Sequence, residues 1–149
     1  MTKVSDRLNR LAESATLAMA RMSRELQEQG HDVIALSLGE PDFDTPDFIK
    51  EAAKKAIDDN FSHYTPVPGL PALRNAIVQK FKRDNNLEYT ADQIVTSTGA
   101  KQSLANVCLS LLNPGDEVLL PCPYWVSYTE IIKLSEGVPV EVPSTIATD

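Results

Sequence analysis

The stretch that decides the fold is residues 94–142, IVTSTGAKQSLANVCLSLLNPGDEVLLPCPYWVSYTEIIKLSEGVPVEV. Three short apolar or β-branched runs, Ile94 to Thr98, Glu117 to Leu120 and Val138 to Val142, alternate with two segments of helical periodicity, Ala100 to Leu112 and Trp125 to Glu136. Side chains alternate faces along a strand and share a face every three or four positions along a helix, so this pattern predicts a βαβαβ series. Short connections between such elements favour parallel strands joined by right-handed crossovers. The expected class is α/β, the start of a mainly parallel, three-layer sheet covered by helices. Three strands make a small sheet whose edges call for further strands, a partner or a cover.

Outward from this stretch toward the N-terminus, Leu70, Leu73, Ala76, Ile77 and Phe81 trace one face of a helix that Asn85 and Asn86 would close. A loop from His63 to Gly69, with two prolines and a glycine, precedes it. Ile49, Ala52, Ala53, Ala56 and Ile57 line another helical face; Thr45 fits its N-cap, Pro46 its first turn, and Asn60 its end. The turn formers Gly39 to Pro46 follow a short extended piece, Val33 to Leu38. Leu8, Leu11, Ala15, Ala18, Met22 and Leu26 recur at spacings of three and four, predicting a helical arm that stops at Gly30.

Composition narrows the function classes. At 149 residues the chain is one domain's worth, and 42% hydrophobic with 23% charged residues is ordinary for a soluble globular protein. A net charge of -7 with scattered basic residues disfavours nucleic acid as a partner. No secretory h-region and no run of bilayer-spanning length occur, which predicts a cytosolic protein that binds no membrane. Cys108 and Cys122 form no C-x-x-C pattern and suggest neither a disulfide framework nor a zinc site; Cys108, on an apolar helix stripe, reads as a reduced core thiol.

Ligands of open parallel sheets bind beyond the carboxyl ends of the strands, where two unusual loops fall. Ser97-Thr98-Gly99-Ala100-Lys101-Gln102 runs from a strand directly into a helix. A helix start offers unpaired N–H groups and the positive end of the macrodipole, and Lys101 adds a charge, so a phosphate suits it. A plain turn capped by Thr98 explains the same residues. Pro121 to Tyr128 gathers Tyr124, Trp125 and Tyr128, three of nine aromatics, where a flat ring could stack; ordinary burial of large aromatics is the alternative. The glycines at 30, 39, 69, 99, 115 and 137 give neither G-x-G-x-x-G nor a Walker loop, which leaves one phosphate and one flat ring rather than a dinucleotide.

Five motifs in register, Ser37-Leu38-Gly39-Glu40-Pro41-Asp42-Phe43-Asp44-Thr45-Pro46, Tyr64-Thr65-Pro66-Val67-Pro68-Gly69, Gly99-Ala100-Lys101-Gln102, Asn113-Pro114-Gly115-Asp116-Glu117 and Pro123-Tyr124-Trp125-Val126-Ser127-Tyr128, carry a resemblance over nearly the whole chain. It resembles the class I and II aminotransferases, especially the bacterial aspartate aminotransferase subgroup, enzymes of the pyridoxal-phosphate-dependent transferase fold (fold type I). The resemblance implies that residues 1–45 form an arm and small-domain segment and residues 46–149 the incomplete beginning of the large cofactor-binding domain. It implies pyridoxal 5'-phosphate as cofactor, its phosphate held by the N–H groups of Gly99, Ala100 and Lys101 and its ring stacked on Trp125. Gly39 would lie beside the substrate carboxylate, and Lys101 is a candidate for the distal carboxylate of an acidic substrate, with aspartate first. Tyr64 would reach the cofactor phosphate of a neighbouring subunit, implying a homodimer.

Transamination also needs a lysine that forms a Schiff base and shuttles a proton, and a carboxylate on the pyridinium nitrogen. In the family these lie downstream of the position matching residue 149. No lysine here sits in that context, so the expectation is no catalytic residue in this chain and little activity from it alone. Asp42 and Asp44 read as turn and cap residues bonding local backbone, and His31 and His63 as surface or packing histidines. Two other readings stay open: a noncatalytic phosphate-ligand binding or dimerisation module, and an aromatic or branched-chain aminotransferase or cysteine-conjugate lyase of the same fold.

Overall fold

A computed structural model describes residues 3–147. In chain order these form α1 (Asp6–Asn9), α2 (Ala15–Glu28), α3 (Asp47–Asp58), α4 (Pro71–Asn85), a 3-10 turn (Ala91–Gln93), α5 (Ala100–Leu111), β1 (Glu117–Pro121), α6 (Ser127–Leu134) and β2 (Val138–Val142). They divide into two compact units, one joining the chain up to Gly39 with the chain from Thr98 onward, the other running from Glu40 to Ser97.

In the first unit β1 and β2 pair in parallel, Glu117 opposite Val138 and Pro121 opposite Val142, and α6 connects them. Helix α6 packs on α5 and on β2, burying Ile131 and Ile132, while Leu120 is buried on β1. The neighbouring strand residue Leu119 is 66% exposed, because successive side chains leave a strand on opposite faces and only one face is covered. Ser135, polar yet buried, returns its hydroxyl to the Ile131 carbonyl at 3.0 Å.

The arm departs from the expected single helix. It breaks between α1 and α2, where Ser14 caps α2 by accepting the Leu17 N–H. A serine side chain offers the backbone a local acceptor and so starts a helix more readily than it continues one. The stop at Gly30 is as expected: this residue takes φ +89 and the His31 N–H returns to the Leu26 carbonyl.

The second unit is built on α4 and the segment that follows it. Asn86 ends α4 in the left-handed conformation, as expected, and Leu87 N–H closes on the Phe81 carbonyl. Arg74 donates to the Ala91 carbonyl at 2.8 Å, Phe81 meets Tyr89 edge-on, and Ile94 is buried. Helix α3 ends beside Asn60 (φ 60), also as expected. Its start corrects the expectation: Pro46, not Thr45, is the N-cap, and no side chain caps it. The Pro46 carbonyl already accepts the Lys50 N–H, so the boundary falls one residue later.

Two further boundaries move. Residues 94–98 do not join the sheet, which among the described residues has two strands, not three. The Thr96 N–H goes instead to the Pro68 carbonyl at 3.0 Å, because a strand forms only where a neighbour presents a ladder. Helix α6 begins at Ser127, not Trp125.

Candidate functional site

The start of α5 fixes the first part of the site. Gly99 is its N-cap at φ 85 and ψ 163, a conformation essentially confined to glycine, and no side chain caps the helix there. Thr98 is therefore not the cap; its own N–H is taken by the Gln102 side-chain oxygen. The first bond back to the cap is Ser103 N–H to the Gly99 carbonyl at 3.3 Å, so the preceding first-turn amides lack intrahelical acceptors. A Cβ at Gly99 would meet nothing within 4 Å, which leaves open space before amides that suit an anion.

The loop after β1 supplies the second part. The Cys122 N–H extends the ladder to the Val142 carbonyl at 2.9 Å, and Cys122–Pro123 is cis. Tyr124 donates its hydroxyl proton to Glu141 and accepts from Thr129 Oγ1; the bond to Glu141 raises the Tyr124 pKa. Trp125 follows, 43% exposed, with the edge of Tyr128 against it at 5.6 Å and 89°. Its position is not that of a core aromatic. Lys101 Nζ lies 4.6 Å from the centroid of its ring, a cation–π contact that ties the α5 start to this loop.

Gly39, Lys101 and Trp125 line one cavity of ≈ 740 Å³, a size suited to a small cofactor with substrate. Gly99 and Ala100 do not line it, although they adjoin Lys101 in the chain. Tyr64 belongs to the other unit and is fully exposed at 108%. His31 and His63 are exposed, as expected. Asp42 and Asp44 are exposed as well, but their side chains make no hydrogen bond among the described residues, so their reading as backbone caps is corrected. Cys108 is free and half-buried rather than a core thiol, and burial pushes its pKa up. No group of His, Cys, Asp or Glu suited to a metal occurs among the described residues, and no helix there is long and apolar enough to cross a membrane.

Sequence reasoning missed the wall formed by the arm, Leu11 to Leu17, and by Ser127 and Glu130. Burial pushes the Glu130 carboxyl up, but the Ala12 N–H and Lys133 outweigh it and its pKa is lowered. The sequence signal for it was the Glu130–Lys133 spacing of three, which pairs opposite charges on one face of α6 beside Leu134.

The family model for aminotransferase class I and II matches residues 31–149. The chain is 54% identical over 140 residues to a "probable aspartate/prephenate aminotransferase" of Rickettsia bellii, spanning 94% of this chain and 35% of that one. It is 51% identical over 148 residues to the aspartate/prephenate aminotransferase of Cereibacter sphaeroides, spanning 99% and 37%. Among solved structures, an aspartate aminotransferase from Rhizobium meliloti superposes with a TM-score of 0.94 at 40% identity, covering 99% of this chain and 37% of that one. One from Thermus thermophilus with maleate does so with a TM-score of 0.91 at 42% identity, covering 99% and 39%. The chain thus spans little more than a third of the length of these relatives, and its fold is that of their N-terminal part.

Proposed function

Because this chain belongs to the class I and II aminotransferase family, we propose that its α5 entrance and Trp125 loop form the phosphate and ring portions of a pyridoxal 5'-phosphate site. The observation that carries this reading is the pairing of an uncapped, glycine-started helix with a half-exposed indole, joined by the Lys101–Trp125 contact. These residues fit the group. The N–H groups of Gly99, Ala100 and Lys101 would hold its phosphate, and Trp125 would lie on its ring. When bound, pyridoxal phosphate supplies an electron sink for amino-group transfer; the amine that bonds it and the carboxylate facing its ring nitrogen are not among residues 1–149.

In this reading the whole protein transfers an amino group between an acidic L-amino acid, aspartate first, and a 2-oxo acid. The names of the relatives and the Lys101 ammonium on the cavity wall support that choice of substrate. Lys101 attracts the distal carboxylate, and Gly39 leaves room beside the α-carboxylate. The protein acts in the cytosol as a homodimer in which the exposed Tyr64 reaches the partner subunit's cofactor phosphate. Residues 1–45 serve as arm and small-domain segment, and residues 46–149 as the beginning of the large domain.

Borohydride reduction of the chain with pyridoxal phosphate, followed by peptide mass mapping, tests the assignment of roles. No single lysine should be preferentially trapped. Selective reduction onto Lys101 would show that it meets the aldehyde and not the phosphate end, and the arrangement would be wrong.

A further inference from the structure

We propose that Glu130 and Glu136 form a two-carboxylate latch that holds residues 7–12 of the arm against α6 and so keeps the arm in place as a wall of the Trp125 cavity. Glu130 Oε2 accepts the Ala12 N–H at 2.9 Å, and Oε1 accepts from Lys133 Nζ at 3.0 Å, so both oxygens are engaged. Glu136, where the chain turns at φ 65 after α6, places Oε1 3.0 Å from Arg10 Nη2 and Oε2 3.7 Å from Arg7 Nη2. Neither α1 nor α2 contains a buried residue, so apolar burial alone does not fix the arm.

The latch flanks the point where the arm becomes cavity wall. Leu11 through Leu17 follow at once and line the same cavity as Trp125. The Arg10 and Glu136 side chains are 54% and 32% exposed, and exposed ion pairs are individually weak and screened by salt. The arm is therefore a strap, able to lift while α6 keeps its buried face against α5 and β2. Glu130 and Glu136 act as positioning residues, and the charge on them sets how freely solvent reaches the indole. This holds whichever ligand the cavity takes.

Hydrogen exchange of the segment spanning residues 8–17, read beside acrylamide quenching of Trp125, the chain's one tryptophan, tests the latch. In Glu130→Ala/Glu136→Gln, exchange of that segment should rise about tenfold and quenching should increase, with α5 and β1 unchanged. About 0.5 M sodium chloride should move the unsubstituted chain the same way, to a smaller extent, since salt weakens exposed ion pairs. Arg7→Glu/Arg10→Glu should also loosen the arm, and adding Glu136→Arg to it should restore protection by re-forming both pairs with reversed charges. The proposal is overturned by unchanged arm exchange in the double variant, by a loosened arm that leaves Trp125 quenching unaltered, by exchange rising equally through α5 and β1, or by failure of the charge swap to restore protection.

Discussion

Gly99 and Gly69 show how one residue type carries two different constraints. Both have positive φ, 85 and 103. A Cβ on Gly99 meets open space, whereas one on Gly69 would lie 2.1 Å from Thr96 Oγ1, the hydroxyl that donates to the Pro68 carbonyl. Gly99→Ala should therefore cost about 1–3 kcal/mol from backbone strain alone. Gly69→Ala should cost more, since overpacking adds about 1–3 kcal/mol to the same strain. Urea titration of the two variants ranks them, and an equal or reversed ranking would mean that the Pro68–Thr96 contact yields freely. Tyr124 offers a second check. Its bond to the Glu141 carboxylate disfavours the phenolate, so Glu141→Gln should lower the Tyr124 pKa toward the ordinary tyrosine range. Absorbance at the phenolate band through an alkaline titration reads this directly; an unmoved curve removes the pair. At this scale the sequence made Gly99, Lys101 and Trp125 legible, because glycine, charge and aromatic each announce a chemistry. It did not make Glu130 legible, since the partner of a carboxylate 118 positions away in the chain is a product of folding.

Elements were legible where local periodicity and local punctuation agreed. Helices α4 and α5 and strands β1 and β2 fall where spacing placed them, and Gly30, Asn60 and Asn86 stop helices as expected, each at positive φ. Misreadings came where a non-local partner decides. Residues 94–98 have strand composition, but Thr96 bonds to the Pro68 carbonyl and no strand lies beside it. Ser14 is a local exception: it lies inside an apolar period yet caps a new helix through the Leu17 N–H, a bond that side-chain spacing does not register. One tie between elements is exposed to a simple test: Arg74 donates to the Ala91 carbonyl and links α4 to the 3-10 turn. Arg74→Met keeps most of the aliphatic volume and removes that bond, and should destabilise the chain by about 1–2 kcal/mol. A denaturation midpoint equal to that of the unsubstituted chain would show that water replaces the guanidinium at no cost.

For the whole molecule the decisive quantity is surface. Much of it is apolar: Ile34, Leu36, Phe43, Phe48, Ile57 and Phe61 are each more than two-thirds exposed, and most of the α3 face read from the sequence as amphipathic is exposed. Patches of this kind associate or bind apolar probes. The isolated chain should accordingly enhance anilinonaphthalene sulfonate fluorescence and self-associate as its concentration rises. Weak dye binding by a monodisperse monomer would mean that this surface folds back on itself. Composition could not reveal these exposed side chains, because an ordinary fraction of hydrophobic residues says nothing about which of them find cover. The unpaired sheet edges expected from the βαβαβ pattern pointed the same way, and the chain spans little more than a third of the length of the relatives it matches. The proposed cofactor site requires a phosphate held at the entrance to α5 beneath an indole. A crystal structure of this chain with pyridoxal phosphate tests that most directly. The expected result is phosphate oxygens within hydrogen-bonding distance of the amides of residues 99–101, with the Trp125 ring over the pyridine. A ligand bound elsewhere, with those amides facing only solvent, would contradict it.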